Sequence, residues 1–169
     1  MTQNQREELP IDVLFVGGGA ASLAGALHLN REAKKNGLDI EIAIIEKANE
    51  IGSHALSGAV VDPKTLIELF PDYELDSFPF EAPVHTEKMY FLSKGGSKLG
   101  FPYIPKGMSH HGCYVASLGK LTRWLGQKCE EEGIDIFCPF SGDEILYDEN
   151  NSVIGIRTGD RGIDKNGNH

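Results

Sequence analysis

The chain has 169 residues, 20 of them glycine, with 40% hydrophobic and 24% charged residues, and at roughly 150 residues per domain that length holds about one domain. The composition is globular and excludes disorder, and a chain of this size buries roughly two thirds of the surface it exposes when unfolded, so no disulfide scaffold is needed. Its 16 basic and 25 acidic residues give a net charge of -9, spread along the chain without a basic stripe, which argues against nucleic acid as a partner.

Residues 1–10 form a polar tail with neither an apolar h-region nor an Arg-rich amphipathic pattern, so no targeting peptide is evident. No apolar run approaches the roughly 18 residues of a membrane-spanning helix. Cys113, Cys129 and Cys138 have the spacing of neither a metal knuckle nor a redox pair, and are expected as buried free thiols in a reducing compartment.

Residues 11–16 are an apolar run that stops at Gly17-Gly18-Gly19, the pattern of a buried parallel strand before a tight turn. Residues 20–36 carry helical spacing and end at Asn36-Gly37, and residues 40–45 make a second strand ending in Glu46. Together they form a strand-helix-strand unit with a parallel crossover. Residues 47–114 contain six prolines and short strand-like pieces, which predicts a loop-rich insertion with local hairpins, about 60–112. A helix follows over 117–132, with Leu118, Leu121, Leu125 and Cys129 on one face and Gly133 as its stop. A third strand at 134–138 and a hairpin over 144–158 complete the regular elements before a Gly-, Asp- and Asn-rich tail. The fold class is α/β, a Rossmann-like FAD/NAD(P)-binding fold over 11–169, with a parallel sheet built on the βαβ unit.

Gly17-x-Gly19-x-x-Ser22 stands where a dinucleotide fingerprint belongs, after a strand and opening a helix. The first glycine permits the turn, the second lets backbone approach a pyrophosphate, and the helix-start N–H groups hold the anion without a cationic side chain. Ser22 replaces the usual third small residue; its hydroxyl adds bulk where helix and strand pack, and can also donate to phosphate. Glu46 at the end of the second strand is placed to accept hydrogen bonds from an adenosine ribose, and its charge disfavours a 2'-phosphate. The same residue is otherwise a solvated strand-end carboxylate. Glu46-Lys47 followed by Gly52 looks like the FAD-first arrangement of flavoprotein oxidoreductases. His110-His111 resembles a metal pair only superficially, since adjacent residues rarely converge on one ion.

Three further segments carry a more specific likeness. Residues 51–63, which contain Leu56-Ser57-Gly58-Ala59, residues 111–126 with His111-Gly112-Cys113-Tyr114, Leu118-Gly119-Lys120-Leu121 and Trp124-Leu125-Gly126, and residues 155–163 resemble the electron transfer flavoprotein-ubiquinone oxidoreductase family. The resemblance runs in the same order from about Asp12 to the end of the chain. It implies a membrane-associated, monotopic enzyme of the inner respiratory membrane, on its matrix or cytoplasmic face. FAD there passes electrons from reduced electron transfer flavoprotein to ubiquinone. It also implies an iron-sulfur cluster held by a Cys-rich C-terminal region with no counterpart here, so the chain is expected to be the N-terminal part of such an enzyme.

Carried over by position, Gly17, Gly19 and Ser22 face the pyrophosphate, Glu46 and Lys47 the adenosine side, and Gly52, His54, Ser57 and Gly58 the inner side of the flavin. His54 and Ser57 would tune the flavin, although His54 is equally a loop histidine satisfied by backbone. An electron relay needs no general base, so no catalytic side chain is assigned. Ser117 opens the helix where related flavoproteins often place an arginine; it is either an N-cap or a flavin contact. Phe101, Tyr103, Ile104 and Met108 lie on a Pro-interrupted apolar loop that in the family contributes to the quinone and membrane side, with Lys106 at headgroup level; a packed loop is the alternative. A soluble FAD-dependent reductase or hydroxylase and an inactive nucleotide-binding fragment are the competing functions.

Overall fold

The computed structural model describes residues 7–56 and 58–160, so the expected flavin contact at Ser57 and the end of the 155–163 segment lie outside the described residues. In chain order the elements are β1 (Val13–Val16), α1 (Ala20–Lys35), β2 (Ile42–Ile45), β3 (Ala59–Val61), α2 (Lys64–Leu69), β4 (Phe80–Pro83), β5 (Tyr90–Leu92) and β6 (Lys98–Gly100). They continue with β7 (Tyr114–Ala116), α3 (Leu118–Glu131), β8 (Asp135–Phe137), β9 (Gly142–Tyr147) and β10 (Val153–Thr158). The chain divides into two compact units, Met1–Ala55 with Thr122–His169, and Leu56–Leu121.

The first unit is built on a parallel sheet in the order β1-β2-β8. Val13 pairs with Ile42 and Ala43 with Asp135, so β2 has a neighbour on each side and all four of its residues are buried. A strand covered on both faces has to be apolar throughout, as Ile42-Ala43-Ile44-Ile45 is. Strands β1 and β2 begin two residues later than their apolar runs predict. Helix α1 buries Leu23, Ala26, Leu27, Asn30 and Ala33, the i, i+3, i+4, i+7 stripe its sequence carries.

Both helices stop where predicted and by the same device. Gly37 and Gly133 take φ of +71° and +84°, and the next N–H of each reaches back to a carbonyl of the last turn, Leu38 to Ala33 and Ile134 to Cys129, each at 2.9 Å. The ends of α1 and α3 are also tied together. Asn30 Nδ2 and Lys34 Nζ donate to the Glu132 carbonyl at 3.2 and 3.0 Å, and Arg31 pairs with the Glu132 carboxylate. On α3, Leu121, Leu125 and Cys129 are buried as their spacing predicts, and Leu118 is half-buried. Strands β9 and β10 form the expected antiparallel hairpin, whose turn is closed by Asp148 Oδ1 accepting from the Asn150 and Ser152 N–H groups.

The second unit has more regular structure than its proline content predicts. Strand β7 lies between β3 and β4 in an antiparallel sheet. Leu66, Phe70, Phe78 and Ala116 supply a small core, and Phe70 and Phe78 meet edge to face at 6.3 Å. The predicted local hairpin is present as β5 and β6, which among the described residues pair only with each other, through Tyr90↔Gly100 and Leu92↔Lys98.

Leu125 is 2% exposed. Leu125→Ala should therefore cost about 2–5 kcal/mol in denaturant unfolding, whereas truncating the exposed Ile154 should change stability by less than about 0.5 kcal/mol.

Candidate functional site

From Val16 the chain turns through Gly17, Gly18 and Gly19 straight into α1. Gly17 adopts φ +102°, which strains any L side chain, and its N–H donates to the Ile45 carbonyl at 2.7 Å, laying the turn against the end of β2. Gly19 is the N-cap residue of α1, with no side-chain cap and no acidic residue in the first turn. A Cβ built on it meets nothing within 4 Å. The first helical bond runs from the Leu23 N–H to the Gly19 carbonyl, so the N–H groups ahead of it have no acceptor inside the helix. These residues therefore fit an anionic diphosphate, which needs open backbone donors and room for close approach.

Glu46 is fixed from both sides of its backbone. Its N–H donates to the Phe137 carbonyl at 3.0 Å and its carbonyl accepts from the Phe140 N–H at 2.7 Å. The half-buried side chain turns toward the glycines: Oε2 accepts from the Gly18 N–H and Oε1 from the Ala48 N–H, both at 2.8 Å. Each carboxylate oxygen keeps a second lone pair for a further donor.

Two glycines that the fingerprint does not single out meet the same side chain. A Cβ on Gly18 would lie 2.2 Å from Ile51 Cδ1, and one on Gly126 would lie 3.2 Å from Ile51 Cγ2. Ile51, itself buried, would have to shift to admit a side chain at either position. The only sequence signal was that Gly18 and Gly126 sit inside motifs quoted for other reasons. A close helix-to-strand approach stands at Gly25, whose Cβ would lie 3.3 Å from the Phe15 ring, and Ser22 is half-buried in the first turn.

Lys47 and His54 are exposed, and Gly52 takes φ +82° in a turn closed by the Ala55 N–H on its carbonyl. Gly58 and Ser117 belong to the second unit. Gly58 precedes β3 with φ +88°, and Ser117 Oγ accepts from the Lys120 N–H at 3.4 Å, which places it as the cap of α3. The second unit also carries the apolar loop, with Phe101, Tyr103 and Met108 exposed and Ile104 half-buried.

The thiols differ from expectation. Only Cys129 is buried, while Cys113 and Cys138 are partly exposed. Burial first, then the carboxylates of Glu132 and Glu130, push the Cys129 thiol up to about 12 against the opposing charge of Arg31. It stays protonated at neutral pH and donates to the Leu23 carbonyl. Among the described residues no three His, Cys, Asp or Glu side chains gather as a metal site requires, so no iron-sulfur ligand set is found there.

The turn, the carboxylate that follows β2 and the parallel sheet define a Rossmann-like α/β fold of the kind found in FAD-dependent oxidoreductases. A geranylgeranyl bacteriochlorophyll reductase-like protein of Thermoplasma acidophilum superposes with a TM-score of 0.62 at 21% identity, over 88% of this chain and 34% of that one. The myxobacterial FAD-dependent halogenase CndH superposes with a TM-score of 0.58 at 14% identity, over 88% of this chain and 32% of that one. No protein-family model matches the chain. In sequence the chain is related to the electron transfer flavoprotein-ubiquinone oxidoreductases. The protein of that name from Pseudomonas aeruginosa is 42% identical over 166 residues, and the mitochondrial one from Dictyostelium discoideum is 41% identical over 170. Each match takes in 97% of this chain, which spans 30% and 28% of the respective relatives.

Gly18→Ala should destabilise the first unit by about 1–3 kcal/mol through overpacking. Ile51→Val removes the δ-methyl, so in that background the same substitution should cost less, a coupling that denaturant unfolding of the double-mutant cycle measures. In the second unit, burial alone would raise the Glu87 carboxyl, but hydrogen bonds from the His110 N–H and Ser109 hydroxyl and the nearby His110 imidazole outweigh it and hold it below its ordinary 4.5. A depressed carboxylate stabilises above its unfolded value and loses that contribution as pH falls through the folded one. Melting scans below about pH 4.5 should therefore show a loss of Tm that is reduced in Glu87→Gln.

Proposed function

We propose that this chain forms the FAD-binding part of an oxidoreductase that takes electrons from reduced electron transfer flavoprotein and delivers them to ubiquinone at a membrane surface. The observation that carries the proposal is the open, uncapped start of α1 behind Gly17–Gly19, held by Glu46, in a chain about 42% identical to proteins of that name. Bound FAD would supply reversible electron acceptance. In this reading the Gly19, Ala20 and Ala21 N–H groups, with the Ser22 hydroxyl, hold the diphosphate, and Glu46 uses its remaining lone pairs for the ribose hydroxyls. Lys47 stands on the adenosine side. Gly52, His54, Ser57 and Gly58 line the flavin side, and Ser117 is primarily the α3 cap.

Membrane association belongs to the same proposal. Among the described residues no helix is long and apolar enough to cross a membrane, so contact would be monotopic, through the segment that contains the notable apolar exposure of the second unit. Phe91, Leu92, Leu99 and Tyr103 are 63%, 70%, 69% and 71% exposed, alongside Phe101 and Met108. A lone two-stranded hairpin exposed on both faces is marginal in water, and apolar residues exposed together mark an interaction surface. The insertion that bears them would be the quinone and membrane side of the enzyme, at the respiratory membrane.

FAD at about 100 times its Kd should raise the unfolding free energy of the purified chain by about 2.7 kcal/mol. Gly19→Ala, at an ordinary φ with free space around its Cβ, should leave the flavin-free Tm unchanged and weaken FAD binding at least about tenfold by blocking the diphosphate. No flavin absorbance on the purified chain and no Tm shift with FAD would refute the assignment.

A further inference from the structure

The charge of the exposed apolar segment is opposite to that of the rest of the chain. Between Val84 and Cys113 stand Lys88, Lys94, Lys98 and Lys106 and a single carboxylate, Glu87, in a chain that carries 25 acidic residues against 16 basic ones. The even spread of acidity expected from the sequence therefore fails here. All four lysines are exposed, and among the described residues none has an ion-pair partner. Lys98 lies over the Tyr90 ring at 5.3 Å, so cation and apolar surface are interleaved on the hairpin itself. The one carboxylate is turned inward. Glu87, with 18% of its side chain exposed, accepts from the Ser109 hydroxyl at 3.0 Å and from the His110 N–H, and stands 3.2 Å from His110 Nδ1. A groove of about 620 Å³ in the same segment is lined by Lys88, His85 and His111 together with Phe101, Tyr103 and Ile104.

We propose that this segment docks on an anionic bilayer. Lys88, Lys94, Lys98 and Lys106 bind acidic lipid headgroups, while Phe91, Leu92, Leu99 and Tyr103 enter the acyl boundary. The inference rests on the membrane reading above and adds the lipid class. Apolar side chains by themselves bind neutral and acidic bilayers alike, whereas lysines held near the surface add attraction only where the headgroups carry net negative charge. Outside this segment the chain carries 24 acidic against 12 basic residues, so its remaining net charge opposes binding to such a membrane.

The test is co-sedimentation of the protein with vesicles of phosphatidylcholine alone and of phosphatidylcholine with about 30% phosphatidylglycerol. The protein should bind the acidic vesicles at least about tenfold more tightly, and raising the salt to about 0.5 M should remove the preference. A variant with Lys88→Gln, Lys94→Gln, Lys98→Gln and Lys106→Gln, checked for an unchanged Tm, should bind both compositions as the parent binds the neutral one. Equal binding of the parent to both vesicle types would overturn the anionic inference and leave membrane docking standing. Binding to neither would overturn membrane docking as well. An undiminished preference in the lysine variant would assign the charge effect elsewhere and overturn the proposal.

Discussion

The Glu46 carboxylate joins the end of β2 to the glycine turn that opens α1, and the geometry of the candidate nucleotide site depends on that bridge. One oxygen holds the Gly18 N–H and the other the Ala48 N–H, while the backbone of the same residue is locked by Phe137 and Phe140. A carboxylate fixed in this way satisfies a backbone donor that the tight turn would otherwise leave without a partner in a buried position. The first N–H groups of the helix are left open because Gly19 provides no capping side chain.

Beneath the turn, Ile51 converts packing into a restriction on sequence. Its side chain crowds the positions that a Cβ on Gly18 or Gly126 would take, so one apolar contact favours glycine at two places distant in sequence. Gly17 is favoured for a different reason, its left-handed φ, and a Cβ on Gly19 meets nothing within 4 Å among the described residues. Three adjacent glycines thus differ in kind: one holds a special backbone conformation, one sits in tight packing, and one faces open space.

The second unit follows a different physical logic. Its small core buries Phe70 and Phe78, yet the hairpin of β5 and β6 keeps its apolar side chains in solvent. The chain spans less than a third of its relatives. Sequence similarity and the open, uncapped start of α1 support the proposed electron-transfer reading, and the exposed hairpin with its lysines supports the proposed membrane contact.

Elements governed by neighbours in sequence were legible without a structure. Apolar periodicity marked α1 and α3, Asn36-Gly37 and Gly133 marked their ends, and the position of Gly17-x-Gly19 between a strand and a helix marked the cradle, because each depends on interactions within about one helical turn. The carboxylate of Glu46 was identified as a site residue, but its bonds to Gly18 and Ala48 were not, since they depend on how β1 and β2 align. The roles of Gly18, Gly25, Gly126 and Ile51, the partial exposure of Cys113 and Cys138, and the three-stranded sheet of β3, β7 and β4 were equally out of reach. Sequence by itself determined the class of fold and the address of the nucleotide turn, through local backbone preference and hydrophobic period. Tertiary structure alone decided which glycines were needed for space, which carboxylates were already engaged and which apolar side chains stayed in water, because each of these is a contact between segments distant along the chain.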